Sequence, residues 1–137
     1  MTQRRMMNTD LPVSLLQKAF RASNGELAWT RSDAIEAAKA LTISGMAILG
    51  GEVWLTDEDG HWQGNIPQAD GGPDGIYAWE LEPSRRSSET WQEFCARARD
   101  HTLLVLGRMN VERDVAPELR PKLRYNLTYV TQVNNSR

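Results

Sequence analysis

Apolar residues recur every three to four positions in three stretches of the chain, which is the spacing of one face of an α-helix. The first stretch opens at Pro12 and stops at Asn24-Gly25, a pair typical of turns. Its apolar face consists of Leu15, Leu16, Ala19 and Phe20. This pattern predicts a short helix.

The second stretch follows Thr30, with Asp33 three residues later in an acidic variant of the capping box. Its apolar face consists of Ala34, Ile35, Ala38 and Leu41. Gly45 is expected to end this helix, because glycine adopts the left-handed conformation that helix C-termini favour.

The third stretch is the longest and follows Pro83, with Ser87 or Ser88 as its expected cap and an end near Gly107. Its apolar face consists of Trp91, Phe94, Cys95, Ala98, Thr102 and Val105. We expect this helix to lie across a sheet and against the second helix, because its aromatic face needs an apolar surface to cover.

Strand patterns begin after the second helix. Residues 46–49 and 53–55 read as strand on either side of Gly50-Gly51, where a bulge or a close backbone approach is favoured. Residues 57–60 predict a turn, and Trp62 opens a further strand that a long Gly- and Pro-containing loop soon interrupts.

Two later segments alternate apolar and polar residues, which is the period of a half-buried strand. Residues 76–81 form one of them, and 123–133 form the clearest in the chain. Its apolar positions are Leu123, Tyr125, Leu127 and Tyr129, and its polar positions are Arg124, Asn126 and Thr128. This terminal strand is also a candidate edge for pairing with a second copy.

The order of elements predicts an α+β fold in which two or three helices pack on one face of a small, mostly antiparallel sheet of three to five strands. A length of 137 residues is typical of one domain, so we expect residues 1–137 to form it, with 1–10 as a flexible N-terminus. The lone Cys95 excludes an intramolecular disulfide and argues against structural zinc. No long apolar run and no leader-like segment occur, so a cytoplasmic location is expected.

Charge is unevenly distributed along the chain, although the net charge is only −2. Residues 40–84 contain no Lys or Arg and carry eight of the carboxylates, together with Trp54, Trp62 and Trp79. Trp54 and Trp79 are expected in the core, because large aromatics in periodic segments usually fill cores, and Trp62 is expected to be an exposed anchor. Aromatic anchors and carboxylates suit a surface that binds a basic protein, although solvation of an ordinary surface is an equally weighted explanation. The basic residues of the last third are dispersed among acids, so no nucleic-acid surface is expected.

Candidate chemistry is sparse. The chain has two histidines, and a small enzyme would require Glu52 as general base with His61 as its partner. Cys95 lies on an apolar stripe and is expected in the core, and the 57–60 turn resembles a weak cation site without the order of an EF-hand. We therefore expect no enzyme, no cofactor and no bound metal.

The segment Leu49-Gly50-Gly51-Glu52-Val53-Trp54, with the later Tyr77-Ala78-Trp79 and Ser88-Glu89-Thr90-Trp91, resembles immunity protein family forty of bacterial polymorphic toxin systems. The resemblance covers about residues 26–131 and implies a small cytoplasmic α+β protein that neutralises a toxin by binding it. Gly50, Gly51 and Glu52 match the family signature, which marks either the fold or a contact.

The resulting hypothesis is an immunity protein that binds a cognate protein toxin, such as a basic nuclease, and binds neither nucleic acid nor membrane. The predicted partner-binding residues are Glu52, Asp57, Glu58, Asp59, Trp62, Asp70 and Asp74. The alternatives are the small enzyme at Glu52 and His61 and a non-catalytic scaffold or accessory module. A homodimer through the terminal strand remains open.

Overall fold

The computed structural model describes residues 11–57, 59–68 and 75–132, which contain three α-helices and seven strands. The helices are α1 (Val13–Lys18), α2 (Arg31–Ile43) and α3 (Trp91–Arg108). The strands are β1 (Phe20–Arg21), β2 (Leu27–Trp29), β3 (Ala47–Thr56), β4 (Trp62–Asn65), β5 (Ala78–Glu80), β6 (Leu123–Asn126) and β7 (Thr128–Val130). Two 3₁₀ segments, Val111–Asp114 and Pro117–Lys122, join α3 to β6. The predicted α+β class is confirmed.

The long central strand β3 organises the sheet. On one side it pairs with β6 and β7, and on the other with β4 and β5, in each case antiparallel. Strand β2 extends the sheet beyond β6, and β1 pairs with β2. The sheet therefore has seven strands rather than three to five, because both flanks of β3 are broken into short pieces and a hairpin adds two more.

Gly50-Gly51 lies in the middle of β3, so the two strands predicted around it form one continuous strand. A Cβ atom on Gly51 would collide with the carbonyl oxygen of Asn126 and the indole of Trp79. One on Gly50 would collide with the carbonyl oxygen of Trp79. The predicted close approach is confirmed, and the register with β7 shifts between Ile48 and Gly50.

Helices α2 and α3 pack against each other and against β3. Helix α3 contributes Trp91, Phe94, Cys95 and Ala98 to one apolar cluster, and the buried residues of α2 belong to a second, larger cluster. The Trp91 indole donates to the carbonyl oxygen of Gly45 at 2.7 Å, which fastens the start of α3 to the end of α2. The predicted packing of the long helix is confirmed.

The predicted helix caps are partly wrong. Helix α3 begins after Thr90, not Ser87 or Ser88, because Thr90 and Glu93 form a reciprocal capping box. Helix α2 does follow Thr30, but its side chain makes no capping hydrogen bond, and Asp33 lies 3.8 Å from the ammonium of Lys18 instead.

The first predicted helix is also too long. Helix α1 ends at Lys18, and Phe20 lies in β1, where its ring meets the Trp54 ring edge-on at 5.9 Å. Asn24-Gly25 forms the turn of the β1–β2 hairpin, with the Gly25 N–H donating to the Ala22 carbonyl oxygen. Pairing with β2 decides this conformation, which helical spacing alone does not reveal.

The terminal strand is divided into β6 and β7 at Leu127. The predicted edge for pairing with a second copy is wrong for β6, which lies between β2 and β3, whereas β7 pairs only with β3 among the described strands. The four apolar positions of the predicted strand 123–133 are buried as expected. Asn126, predicted on the polar side, is buried too, and its amide donates to the Leu27 carbonyl oxygen at 3.0 Å. Within the described residues no helix is long and apolar enough to cross a membrane.

Candidate functional site

A cleft of about 660 Å³ lies over the Gly50-Gly51 segment of β3. Four carboxylates line it, namely those of Glu26, Glu52, Glu80 and Glu82. Its lining contains no Lys or Arg among the residues that the structure describes. We call this the acidic cleft; its strong single-sign charge suits a cationic group.

Different elements position these carboxylates. Glu52 is half-buried on β3, and its Oε1 accepts hydrogen bonds from the Trp54 indole at 2.8 Å and the Asn65 amide at 2.9 Å. Glu26 stands at the end of the β1–β2 turn. Glu80 and Glu82 are exposed and have no hydrogen bond or ion pair with any described residue. The negative charge of Glu80 and Glu82 at the rim of the cleft is therefore not compensated by any described residue.

A smaller cleft of about 270 Å³ adjoins the acidic cleft and shares Glu26 and Glu52 with it. Trp54 and Trp62 form its aromatic wall. Trp62 is 49% exposed, whereas Trp54 is buried in the core at 5%. The prediction that Trp62 is the exposed aromatic is confirmed, and the structure brings it next to Glu52.

The acidic turn between β3 and β4 has a structural role. Asp57 Oδ1 accepts the N–H groups of Asp59 at 2.9 Å and His61 at 2.7 Å, and Oδ2 accepts the Gln63 amide at 3.0 Å. The hydrogen bond from the His61 backbone lowers the pKa of Asp57 below its usual value. Asp57 thus stabilises the turn, which limits its availability as a contact residue, and Asp59 is exposed beside it.

Three of the predicted binding residues, Glu58, Asp70 and Asp74, lie outside the described residues. Asp57, Asp59 and His61 could offer three ligand atoms within 4.8 Å of one another. The Asp57 carboxylate is already occupied by the turn, and hard cations such as Ca²⁺ take six or more oxygen ligands. Among the described residues, the turn therefore offers fewer free ligands than such a cation takes.

The structure does not bring the predicted enzymatic pair together. The His61 side chain is 74% exposed, and its Nδ1 lies 3.4 Å from Asp57 Oδ2. His61 lines neither of the two clefts that contain Glu52. Cys95 is buried as predicted, and burial raises the pKa of its thiol to about 11, so it remains protonated.

A third cleft, of about 450 Å³, lies between β5 and the C-terminal half of α3. We call it the arginine cleft because Arg108 and Arg113 line it, together with the apolar residues Trp79, Leu104 and Met109. No carboxylate is among its lining residues within the described ranges. Sequence reasoning missed this cleft because its residues are scattered along the chain.

Sequence reasoning also missed Glu26, which lies outside the acidic segment 40–84 and reaches the cleft only through the β1–β2 hairpin. Glu80 and Glu82 belong to that segment, but nothing local distinguished them from other strand-end carboxylates. This chain matches no protein-family model, no curated protein and no solved structure.

Proposed function

We propose that this protein is an immunity-type inhibitor that binds and neutralises a basic protein toxin. The observation that carries the proposal is the acidic cleft, a concave surface with four carboxylates and no described Lys or Arg. The exposed Trp62 beside it supplies an aromatic anchor, the residue class that dominates binding energy at interfaces.

Electrostatics favour this use of the cleft. Glu80 and Glu82 have no described partner, so their field extends into solvent and steers an oppositely charged surface. In a basic toxin such as a nuclease, the Lys and Arg side chains that hold an anionic substrate would enter the same cleft. Inhibition then requires no catalysis by this protein.

The proposed contact residues are Glu26, Glu52, Asp59, Trp62, Glu80 and Glu82. Asp57 supports the turn that carries Asp59 and is not proposed as a contact. Glu58, Asp70 and Asp74 remain predicted contacts from the sequence.

The first test is a pull-down of tagged protein from its native cell extract, washed at low and then high salt. We expect one stoichiometric basic protein with toxin-like activity, released as salt screens the cleft. Recovery of several unrelated partners, none with toxin activity, would indicate a scaffold. Recovery of no toxin would contradict the proposal.

A second test measures association kinetics with the captured toxin. The double variant Glu80→Lys/Glu82→Lys should lower the association rate about tenfold at low salt, because the steering field reverses. For a comparison at equal change of net charge, Glu80→Lys alone is set against Glu118→Lys, since Glu118 is exposed and lines none of the three clefts. Equal rates for both variants would exclude the acidic cleft as the contact face.

A further inference from the structure

The outer edge of β5 has backbone hydrogen-bonding groups that no described residue uses. The Val53 N–H donates to the Tyr77 carbonyl oxygen at 3.0 Å, and the Leu81 N–H donates to that of Leu49 at 2.8 Å. In an antiparallel ladder, bonded and non-bonded pairs alternate, so Ala78 and Glu80 direct their N–H and C=O groups away from β3. No described residue pairs with these groups.

Two clefts of opposite charge meet at this edge. The acidic cleft and the arginine cleft share Ala78 and Trp79 as lining residues. Successive side chains of a strand point to opposite faces, which places Glu80 on one face and Trp79 on the other. Of the two clefts, Glu80 lines only the acidic cleft. The acidic cleft therefore lies mainly on the Glu80 face of β5, and the arginine cleft lies mainly on the Trp79 face.

One cation of the arginine cleft has no described partner. Arg108 makes no ion pair or hydrogen bond with a described residue, whereas Arg113 pairs with Asp114. Leu104 is 49% exposed on the wall of this cleft. An occupant with apolar side chains and a carboxylate complements these groups.

We propose that β5 binds an extended segment of the partner protein as an added antiparallel or parallel strand. Basic side chains of that segment enter the acidic cleft, and the alternate side chains, apolar with one carboxylate, enter the arginine cleft. Main-chain hydrogen bonds to Ala78 and Glu80 hold the segment, while the two clefts select its sequence. The identity of the partner as a toxin rests on the proposed function; the binding mode does not.

The binding mode can be tested without the toxin. The probe is a short capped peptide in which Lys alternates with Leu and Glu, added to the full chain and followed by amide hydrogen exchange. We expect exchange at Ala78 and Glu80 to slow at least about tenfold on saturation. Unchanged exchange at both amides in the presence of excess peptide would overturn the proposal, as would equal binding of a peptide N-methylated at alternate residues.

With the toxin in hand, Ala78→Pro removes one outward N–H and leaves the bonds to β3 intact, as proline at an edge strand does. Its toxin affinity should be about tenfold or more below that of Ala78→Thr, which adds similar bulk at the same position and keeps the N–H. Equal affinities would overturn strand addition and leave toxin binding standing. Protection of the Ala78 and Glu80 amides by the peptide, with no toxin recovered in the pull-down, would support strand addition and contradict the proposed function. Hydrogen exchange on the unmutated protein decides the matter should Ala78→Pro not fold.

Discussion

The carboxylates of this protein fall into two regions that behave differently. At the rim of the acidic cleft, Glu80 and Glu82 have no described partner. Beside α3, the Glu89 carboxylate accepts Arg97 at 2.7 and 2.9 Å, and that of Glu112 accepts Arg31 at 2.9 and 3.1 Å. Identical side chains thus stabilise the fold in one region and remain available for a partner in the other.

The Glu89–Arg97 and Glu112–Arg31 pairs, which we call the paired region, join several elements. Arg97 also donates to the carbonyl oxygens of Pro83 and Ser84, so it fastens the segment before α3. Arg31 on α2 donates to the Leu106 carbonyl oxygen and to the Tyr125 hydroxyl at 2.6 Å, and its guanidinium lies over the Tyr125 ring. Burial raises the pKa of Tyr125 to about 12, so this hydroxyl stays neutral.

The largest effect is expected at Gly51, which lines the acidic cleft whose rim carries Glu80 and Glu82. Gly51→Ala should lower the free energy of unfolding by at least about 3 kcal/mol, because its Cβ would meet the Asn126 backbone, which cannot move aside. Gly107→Ala is the control: no atom lies within 4 Å of its added Cβ, and alanine favours helix by up to about 1 kcal/mol. Urea unfolding of both variants measures the contrast, and losses of similar size would refute it.

In the paired region, Arg31→Ala should lower the free energy of unfolding by about 2 kcal/mol, since Glu112 and the Leu106 carbonyl oxygen lose a charged donor. Lys39→Ala is the control, because Lys39 pairs with Glu36 at 3.5 Å between exposed side chains, and such pairs contribute under about 1 kcal/mol. Chemical denaturation measures the free energy of unfolding of both variants. A loss in Arg31→Ala no larger than that in Lys39→Ala would show that the Arg31–Glu112 pair stabilises the fold no more than an exposed ion pair does.

The paired region should also govern acid stability. The hydrogen bond from Arg97 lowers the pKa of Glu89 from 4.5 to about 2, so its contribution is present above pH 4.5 and is lost as the pH falls toward 2. Glu89→Gln should therefore show a shallower decrease of Tm over this window than the unmutated protein. Glu118→Gln should keep the original slope, and identical slopes for both variants would assign acid unfolding to other groups.

The smallest effect is expected at the rim. Glu80→Gln and Glu82→Gln should each change the free energy of unfolding by less than about 0.5 kcal/mol, because no described contact is lost. The same variants should weaken toxin binding. A stability loss comparable to that of Arg31→Ala would show that the rim carboxylates serve the fold after all.

Much of the fold was predictable because α2 and α3 bury apolar faces at regular spacing. The α3 cap was misplaced at Ser87 or Ser88 although the signal for Thr90 was present: of these three hydroxyl residues, only Thr90 has a Glu three residues later, at Glu93. The β1–β2 hairpin carried no comparable signal. Its two-residue strand β1 depends on pairing with β2, which helical spacing around Phe20 concealed.

The candidate site was predictable only in part. The absence of Lys and Arg from residues 40–84 indicated an acidic surface, and Trp62 was correctly expected to be exposed. The acidic turn was less informative, because Asp57 is engaged by backbone N–H groups that a sequence does not display. Glu26 and Arg108 reach β5 from distant parts of the chain, and no local pattern announces such convergence.

The sequence alone determined most element types, the apolar faces of α2 and α3 and the segregation of charge, since these depend on side chains spaced a few residues apart. The tertiary structure decided which carboxylates are paired and which face a cleft, because that depends on backbone atoms and cations far away in the chain. It also decided the role of Gly50-Gly51, where missing side chains let Trp79 and Asn126 approach β3. Local periodicity reports burial, whereas the availability of a charge follows from long-range contacts.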